Sequence, residues 1–210
     1  MTESSAIPAG AMRAVSDTTL APMFYVVSLR KFTVLYLTTF GWYQLYWFYK
    51  NWDCFKDCHP YASERGTTIW PVPRALFSIF FTHALFRKIK ESAPDAPQVA
   101  AWRQSAHATL LVVLIIVSNV AAKIADRFVE DFWLTVFALV MVLPVMLVTR
   151  AAQAMANIAC GDPEGASNAT FTTANFVWMV LGCLFWLAVL AGLFMNGPDM
   201  GTGMPGELGW

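Results

Sequence analysis

The chain has 210 residues, 57% of them hydrophobic and only 13% charged, whereas soluble domains carry about 25% charged residues. Fourteen basic residues balance fourteen acidic ones, so no global field recruits nucleic acid or an acidic substrate. The apolar residues fall in long uncharged runs, which excludes a soluble globular domain.

Residues 1–23 are rich in Ser, Thr, Ala and Pro, lack periodicity, and read as a disordered tail. No apolar core follows Arg13 as it would in a secretory leader, so the chain is expected to begin near Met1. Residues 24–196 read as one membrane domain with five apolar segments. The first, 32–49, is uncharged between Lys31 and Lys50. Thr38-Thr39-Phe40-Gly41 supplies a break within it, and the following Trp42, Tyr43, Tyr46, Trp47, Tyr49 and Trp52 are interface-seeking side chains. The second, 75–86, is bracketed by Arg74 and Arg87. As a helix it would be about 18 Å long, short of a hydrocarbon core of about 30 Å. Pro71 and Pro73 are expected to set an entry turn before it. It reads as re-entrant or interfacial, with Arg87, Lys88 and Lys90 at the headgroups.

Three stronger spans follow, 108–124, 132–149 and 176–195, each close to the roughly 20 residues that a crossing needs. The 126–131 connection is so short that the first two must form an antiparallel hairpin. Gly161-Asp162-Pro163-Glu164-Gly165 is a turn cluster, Asn168 to Asn175 offers helix caps, and 197–210 reads as a flexible tail. The predicted fold class is all-α integral membrane: three strong transmembrane helices plus two aromatic re-entrant or interfacial helical segments.

Eight of the fourteen basic residues lie between Lys50 and Arg103, which assigns that stretch to the cytoplasmic face. The 126–131 connection and the C-terminal tail are then outside and 150–174 inside. If segment 32–49 crosses, nine basic residues lie inside and five outside; if it dips and returns, the division is twelve to two. The count favours re-entrance.

Polar residues at depth are candidates for function, here Arg74, His83, Asn119 and Lys123, with His107 and Asn175 near the edges. Each has a structural alternative: Lys123 can lift its ammonium to the headgroups, Ser118 and Asn119 can bond between helices, and His83 can anchor at the interface. Pro144 is expected to kink its span, and Gly182 and Gly192 to permit close helix approach. Cys54, Cys58, Cys160 and Cys183 form no regular framework and are expected as free thiols. Cys54, Cys58 and His59 fall short of the four ligands of a structural zinc site, so no metal is expected. Asn168-Ala169-Thr170 fits a glycosylation acceptor, but it falls on the inner face. No nucleotide-binding, metalloprotease or hydrolase fingerprint is present, so neither a catalytic residue nor a cofactor is expected.

The stretch Thr39 to Lys50 carries Thr39, Gly41, Tyr43, Tyr46, Trp47, Tyr49 and Lys50 in a TxGxYxxYWxYK pattern. It resembles a signature of small bacterial membrane proteins of unknown function. Pro73 to Ser78 with Phe80 and Phe81 resembles a second block of the same group. The resemblance covers about a tenth of the chain and implies a bacterial, multi-pass inner-membrane protein, without supplying an activity.

The expected function is a non-enzymatic membrane component that interacts with lipid or a partner, the candidate contacts being Tyr43, Tyr46, Trp47, Arg74, Arg87, Lys88 and Lys90. Expected partners are membrane lipids and either a membrane protein or a second copy, with no nucleic acid. The alternative is a small oligomeric transporter or channel, since broken helices build substrate sites, although three strong spans make a small bundle.

Overall fold

A computed structural model describes residues 22–58, 69–127 and 132–195, and these contain helices, turns and extended connections but no strand. The expectations for the tails up to residue 21 and from 196, for His59 and Arg65, and for residues 128–131 lie outside the described residues.

Helix α1 (Leu29–Thr38) starts where Ser28 Oγ accepts from Lys31 N at 3.3 Å, the ordinary N-cap bond. It ends in a Schellman closure: Phe40 N donates to Leu37 O at 3.2 Å and Gly41 N to Tyr36 O at 2.9 Å. Phe40 and Gly41 are both left-handed, at φ 55 and 80. Thr39 Oγ1 donates to Leu35 O at 2.7 Å and accepts from Tyr43 N at 3.1 Å. One hydroxyl thus ties the end of α1 to the first turn of α2 (Tyr43–Asp57). The apolar segment 32–49 is therefore two helices joined at the predicted break.

Helix α3 (Pro71–Leu76) and helix α4 (Ser78–Ser92) are separated by Phe77 at φ −99, ψ 38. The prolines correct the expectation. They lie inside the first turn of α3 rather than ahead of it, where a missing N–H leaves no bond unmade. The second segment is accordingly longer than 75–86, running from Pro71 to Ser92. A short helix α5 (Pro97–Ala101) leads to α6 (Gln104–Arg127).

Helices α7 (Phe132–Val140) and α8 (Val142–Ala159) form the next span, interrupted at Met141. The break falls just before Pro144, whose ring disfavours a helical carbonyl at residue 140. Arg150 does not end the span as the sequence suggested: the Ala-rich stretch beyond it is a good helix former and continues to Ala159. A 3₁₀ turn (Ala166–Asn168) precedes α9 (Thr173–Met195). Three helical spans, Gln104–Arg127, Phe132–Ala159 and Thr173–Met195, are long and apolar enough to cross a membrane.

Helix α6 packs against both α7 and α8. His107 fixes the register: its Nδ1 accepts from Trp102 Nε1 at 2.7 Å, and its Nε2 donates to Val148 O at 2.9 Å. At the end of α8 an extended strap, residues 24–28, crosses the helix. Four side-chain amides hold its backbone. Gln153 Nε2 donates to Tyr25 O at 2.9 Å, Asn157 takes both Val27 N and Val27 O at 3.3 and 2.9 Å, and Asn168 Nδ2 donates to Val26 O at 2.9 Å. Asn51 Oδ1 accepts from Tyr25 N at 3.4 Å. Buried peptide groups need such partners, and here side chains do what a neighbouring strand would do.

The strap also shows where the first hairpin begins and ends. Lys31 Nζ, at the start of α1, donates to Asn168 Oδ1 at 2.6 Å and Thr170 O at 2.7 Å, and burial lowers the pKa of its ammonium. At the other end of the hairpin, Phe55 of α2 stacks on Phe24 at 5.8 Å. Both ends of α1–α2 therefore lie at the α8–α9 connection, called here the lower end.

Candidate functional site

The tip of the α1–α2 hairpin docks on α9. A Cβ at Gly182 would stand 2.0 Å from Thr38 O, so glycine is what allows this approach. Trp186 Nε1 donates to Leu37 O at 2.7 Å, and Phe40 packs edge-on against Phe185 and Trp186 at 5.1 and 4.6 Å. These rings hold Phe40 in a backbone region that a bulky residue rarely adopts. Gly182 thus has the close-packing role expected of it, whereas a Cβ at Gly192 would meet nothing among the described residues within 4 Å.

A second tip, the bend between α3 and α4 at Phe77, shares a cavity with the first. Its helix α4 descends along α6, with Phe86 against His107 at 5.4 Å and Lys90 Nζ donating to Trp102 O at 2.8 Å. Between the two tips and the upper half of α6 lies an open cavity of about 630 Å³. Tyr36, Gly41, Trp42 and Gln44 line it from the first tip, Leu76, Ser78 and Ile79 from the second. Helix α6 contributes Ile115, Ile116, Ser118, Asn119, Val120 and Lys123. Buried Tyr36, Ser78 and Val145 form its inner wall. The Tyr36 hydroxyl donates to Gln44 Oε1, and Asn119 Nδ2 donates to Ile115 O of its own helix at 2.8 Å.

Ser118, Asn119 and Lys123 therefore share a cavity wall rather than bonding between helices. The other residues proposed from sequence are scattered. Trp47 is fully buried, its Nε1 donating to Gln153 Oε1, and Tyr43 is 94% covered; neither can present a face to lipid. Their burial follows from partners distant in sequence, which an interface-seeking composition does not reveal. Tyr46 remains half exposed, its ring edge-on to Tyr25 at 5.8 Å. Arg74 lies over the rings of Trp52 and Phe81, at 4.3 and 5.1 Å, a cation–π sandwich. Arg87 and Lys88 remain exposed and share Glu91 at 3.7 and 3.0 Å, whereas the Lys90 ammonium is engaged by Trp102. His83 lies 3.1 Å from Thr109 Oγ1.

Gln153, Asn157 and Gln44 do not stand out in the sequence, and Asn168, read there as a helix-cap candidate and glycosylation acceptor, instead binds Val26 O and Lys31 Nζ. A faint signal existed: Gln153 and Asn157 sit one turn apart beside Ala152 and Ala156, an amide stripe on a small-residue face. At the lower end Cys160 Sγ donates weakly to Phe24 O at 3.6 Å, and burial raises its thiol pKa. Among the described residues no cluster of His, Cys, Asp and Glu could hold a metal. Comparisons with protein-family models, with curated proteins and with solved structures gave no match.

Proposed function

We propose that this chain is a multi-pass protein of a bacterial inner membrane that works without catalysis, by interacting with lipid through two helical hairpins that enter one leaflet and return. The observation that carries this reading is depth. Thr38 meets Gly182, about 14 Å into an α9 that is about 35 Å long at ~1.5 Å per residue. Ser78 and Ile79 share the cavity with Ile115, about 17 Å into an α6 of similar length. Both hairpins stop near half the length of the helices beside them. In hydrocarbon, backbone at such a break must be covered by protein, and the Schellman bonds, Trp186 and Gly182 do this for the first tip. Exposed Trp42, Leu76, Phe77 and Phe80 at the tips suit contact with acyl chains. Below them Arg87 and Lys88 face outward, where each basic residue near an anionic surface contributes about 1 kcal/mol of attraction. The buried inner wall of the cavity weighs against a continuous path for transport.

Two measurements test this. In a variant lacking the native cysteines, single cysteines at Ser16, Ser63, Val129 and Thr202 are exposed to a membrane-impermeant thiol reagent in intact cells. Labelling of Val129 and Thr202 alone is expected; labelling of Ser16 with them would make segment 32–49 a full crossing and end the hairpin reading. Replacing Arg87 and Lys88 by Gln should weaken association with phosphatidylglycerol vesicles, and undiminished association would remove the lipid-anchoring role.

A further inference from the structure

The cavity wall supplied by α6 changes character along the helix. Ile115 and Ile116 come first, Ser118 and Asn119 next, then Val120, and Lys123 last, over a rise of about 12 Å. The two tips add both apolar lining, Leu76 and Ile79, and polar lining, Gln44 and Ser78. Because Gln44 Oε1 is taken by the Tyr36 hydroxyl, the amide hydrogens of Gln44 are left to donate elsewhere. Among the described residues no carboxylate lines the cavity, and Lys123 makes no ion pair. An ammonium with no paired carboxylate among the described residues, beside apolar walls, favours an anionic ligand. The volume lies in the range of roughly 300–1,000 Å³ that takes one small molecule or chain.

We propose that this cavity binds one anionic glycerophospholipid. Its phosphate pairs with Lys123, near the upper end of α6, where a lysine lifting its charge towards the surface would meet it. The glycerol esters and hydroxyls lie level with Ser118, Asn119 and Gln44, and one acyl chain descends against Ile115, Ile116 and Ile79. Along α6, with Val120 the one apolar residue between ammonium and polar side chains, the wall runs in the order of a phospholipid read from head to tail. The proposal rests on the hairpin reading above in one respect: tips that stop at mid-depth leave the cavity mouth open to the opposite leaflet.

The test is native mass spectrometry of the purified full chain in a neutral detergent, with phosphatidylglycerol and phosphatidylcholine of matched chains offered in turn. One phosphatidylglycerol per chain is expected, retained at least fivefold more tightly than phosphatidylcholine. Lys123→Gln should reduce this preference to near unity. Lys123 is exposed and not hydrogen-bonded within the described residues, so the variant should fold. Ile116→Trp, which fills the cavity from an exposed position, should release both lipids. The Arg87→Gln, Lys88→Gln variant should retain lipid as the wild type does, so the lower surface and the cavity are read separately. Equal retention of the two lipids, or a Lys123→Gln variant that keeps the preference, would overturn the site. Displacement of phosphatidylglycerol by an equal concentration of palmitate would also overturn it, by replacing the glycerol tier with a simple carboxylate. If cysteine labelling shows a full crossing while phosphatidylglycerol retention persists, the topology fails and the lipid site stands.

Discussion

Gly182→Ala tests the docking of the first hairpin most directly. The new Cβ would stand 2.0 Å from Thr38 O, 2.8 Å from Thr38 C and 2.9 Å from Thr39 Cα, all backbone atoms that cannot swing aside as a side chain would. Ordinary contact begins near 3.4 Å, so the tip must retreat by more than 1 Å. Overpacking of this kind costs about 1–3 kcal/mol. The same retreat stretches the Trp186–Leu37 hydrogen bond, worth about 1 kcal/mol, and loosens the Phe40 ring pairs, each worth about 0.5–1.5 kcal/mol. These losses overlap, because one movement causes all of them, and the expected destabilisation is about 2–4 kcal/mol by the same principles. The assay is unfolding of the detergent-solubilised full chain, with Gly192→Ala as the control. A methyl at 192 meets nothing among the described residues within 4 Å, so that variant should be neutral or gain up to about 1 kcal/mol of helix propensity. If the two variants fall within about 0.5 kcal/mol of each other, the range of ordinary surface substitutions, the tip does not rest on Gly182.

Asn157→Ala would leave Val27 N–H and C=O without their partner. An unsatisfied buried group costs about 1–3 kcal/mol, so a loss of about 2–4 kcal/mol is expected, with faster proteolysis around residue 25 in the native state; unchanged cleavage would mean that the strap is held elsewhere. Asp162 accepts from the backbone N–H groups of Ala166 and Ser167, both at 2.9 Å. Chiefly the Ser167 N–H, then the Ser167 hydroxyl and the Ala166 N–H, hold its carboxyl below the ordinary carboxylate value. A carboxylate with a depressed folded pKa stabilises fully above its unfolded value of about 3.9 and loses that contribution as pH falls through the lower, folded value. Melting temperature should accordingly fall with pH below about 4, and Asp162→Asn should flatten this acid limb while lowering stability at neutral pH. An acid limb identical in the two proteins would remove Asp162 from the account.

The sequence was informative where local chemistry decides conformation. Long uncharged runs located the three apolar spans, and Thr38-Thr39-Phe40-Gly41 marked a break because glycine accepts positive φ and threonine can bond back to its own helix. It was misleading where a distant residue decides. Trp47 reads as an interface aromatic until Gln153 is seen to take its indole N–H. Arg150 reads as the end of a span until the amides of Gln153 and Asn157 give the helix beyond it something to bind. The cavity was the least legible feature. Ser118, Asn119 and Lys123 were visible as polar residues on an apolar helix, but what faces them comes from the α1–α2 tip and the α3–α4 bend, and single-helix periodicity carries no information about such a meeting.

The strap has a consequence for the order in which the molecule can assemble. Residues 24–28 are made well before most of their partners: Asn51, which accepts from Tyr25 N, follows 26 positions later, but the side chains that hold Tyr25 O, Val26 O and Val27 lie 128 to 142 positions later in the chain. Contacts of such long range form late. Until α8 and the connection after it have been synthesised, the start of the first hairpin has no seat, and until α9 follows its tip has no cover. The strap is thus made early and fastened late, and a chain halted before residue 153 would hold its backbone by Asn51 alone, with peptide groups open to whatever chaperone or insertase stands nearby.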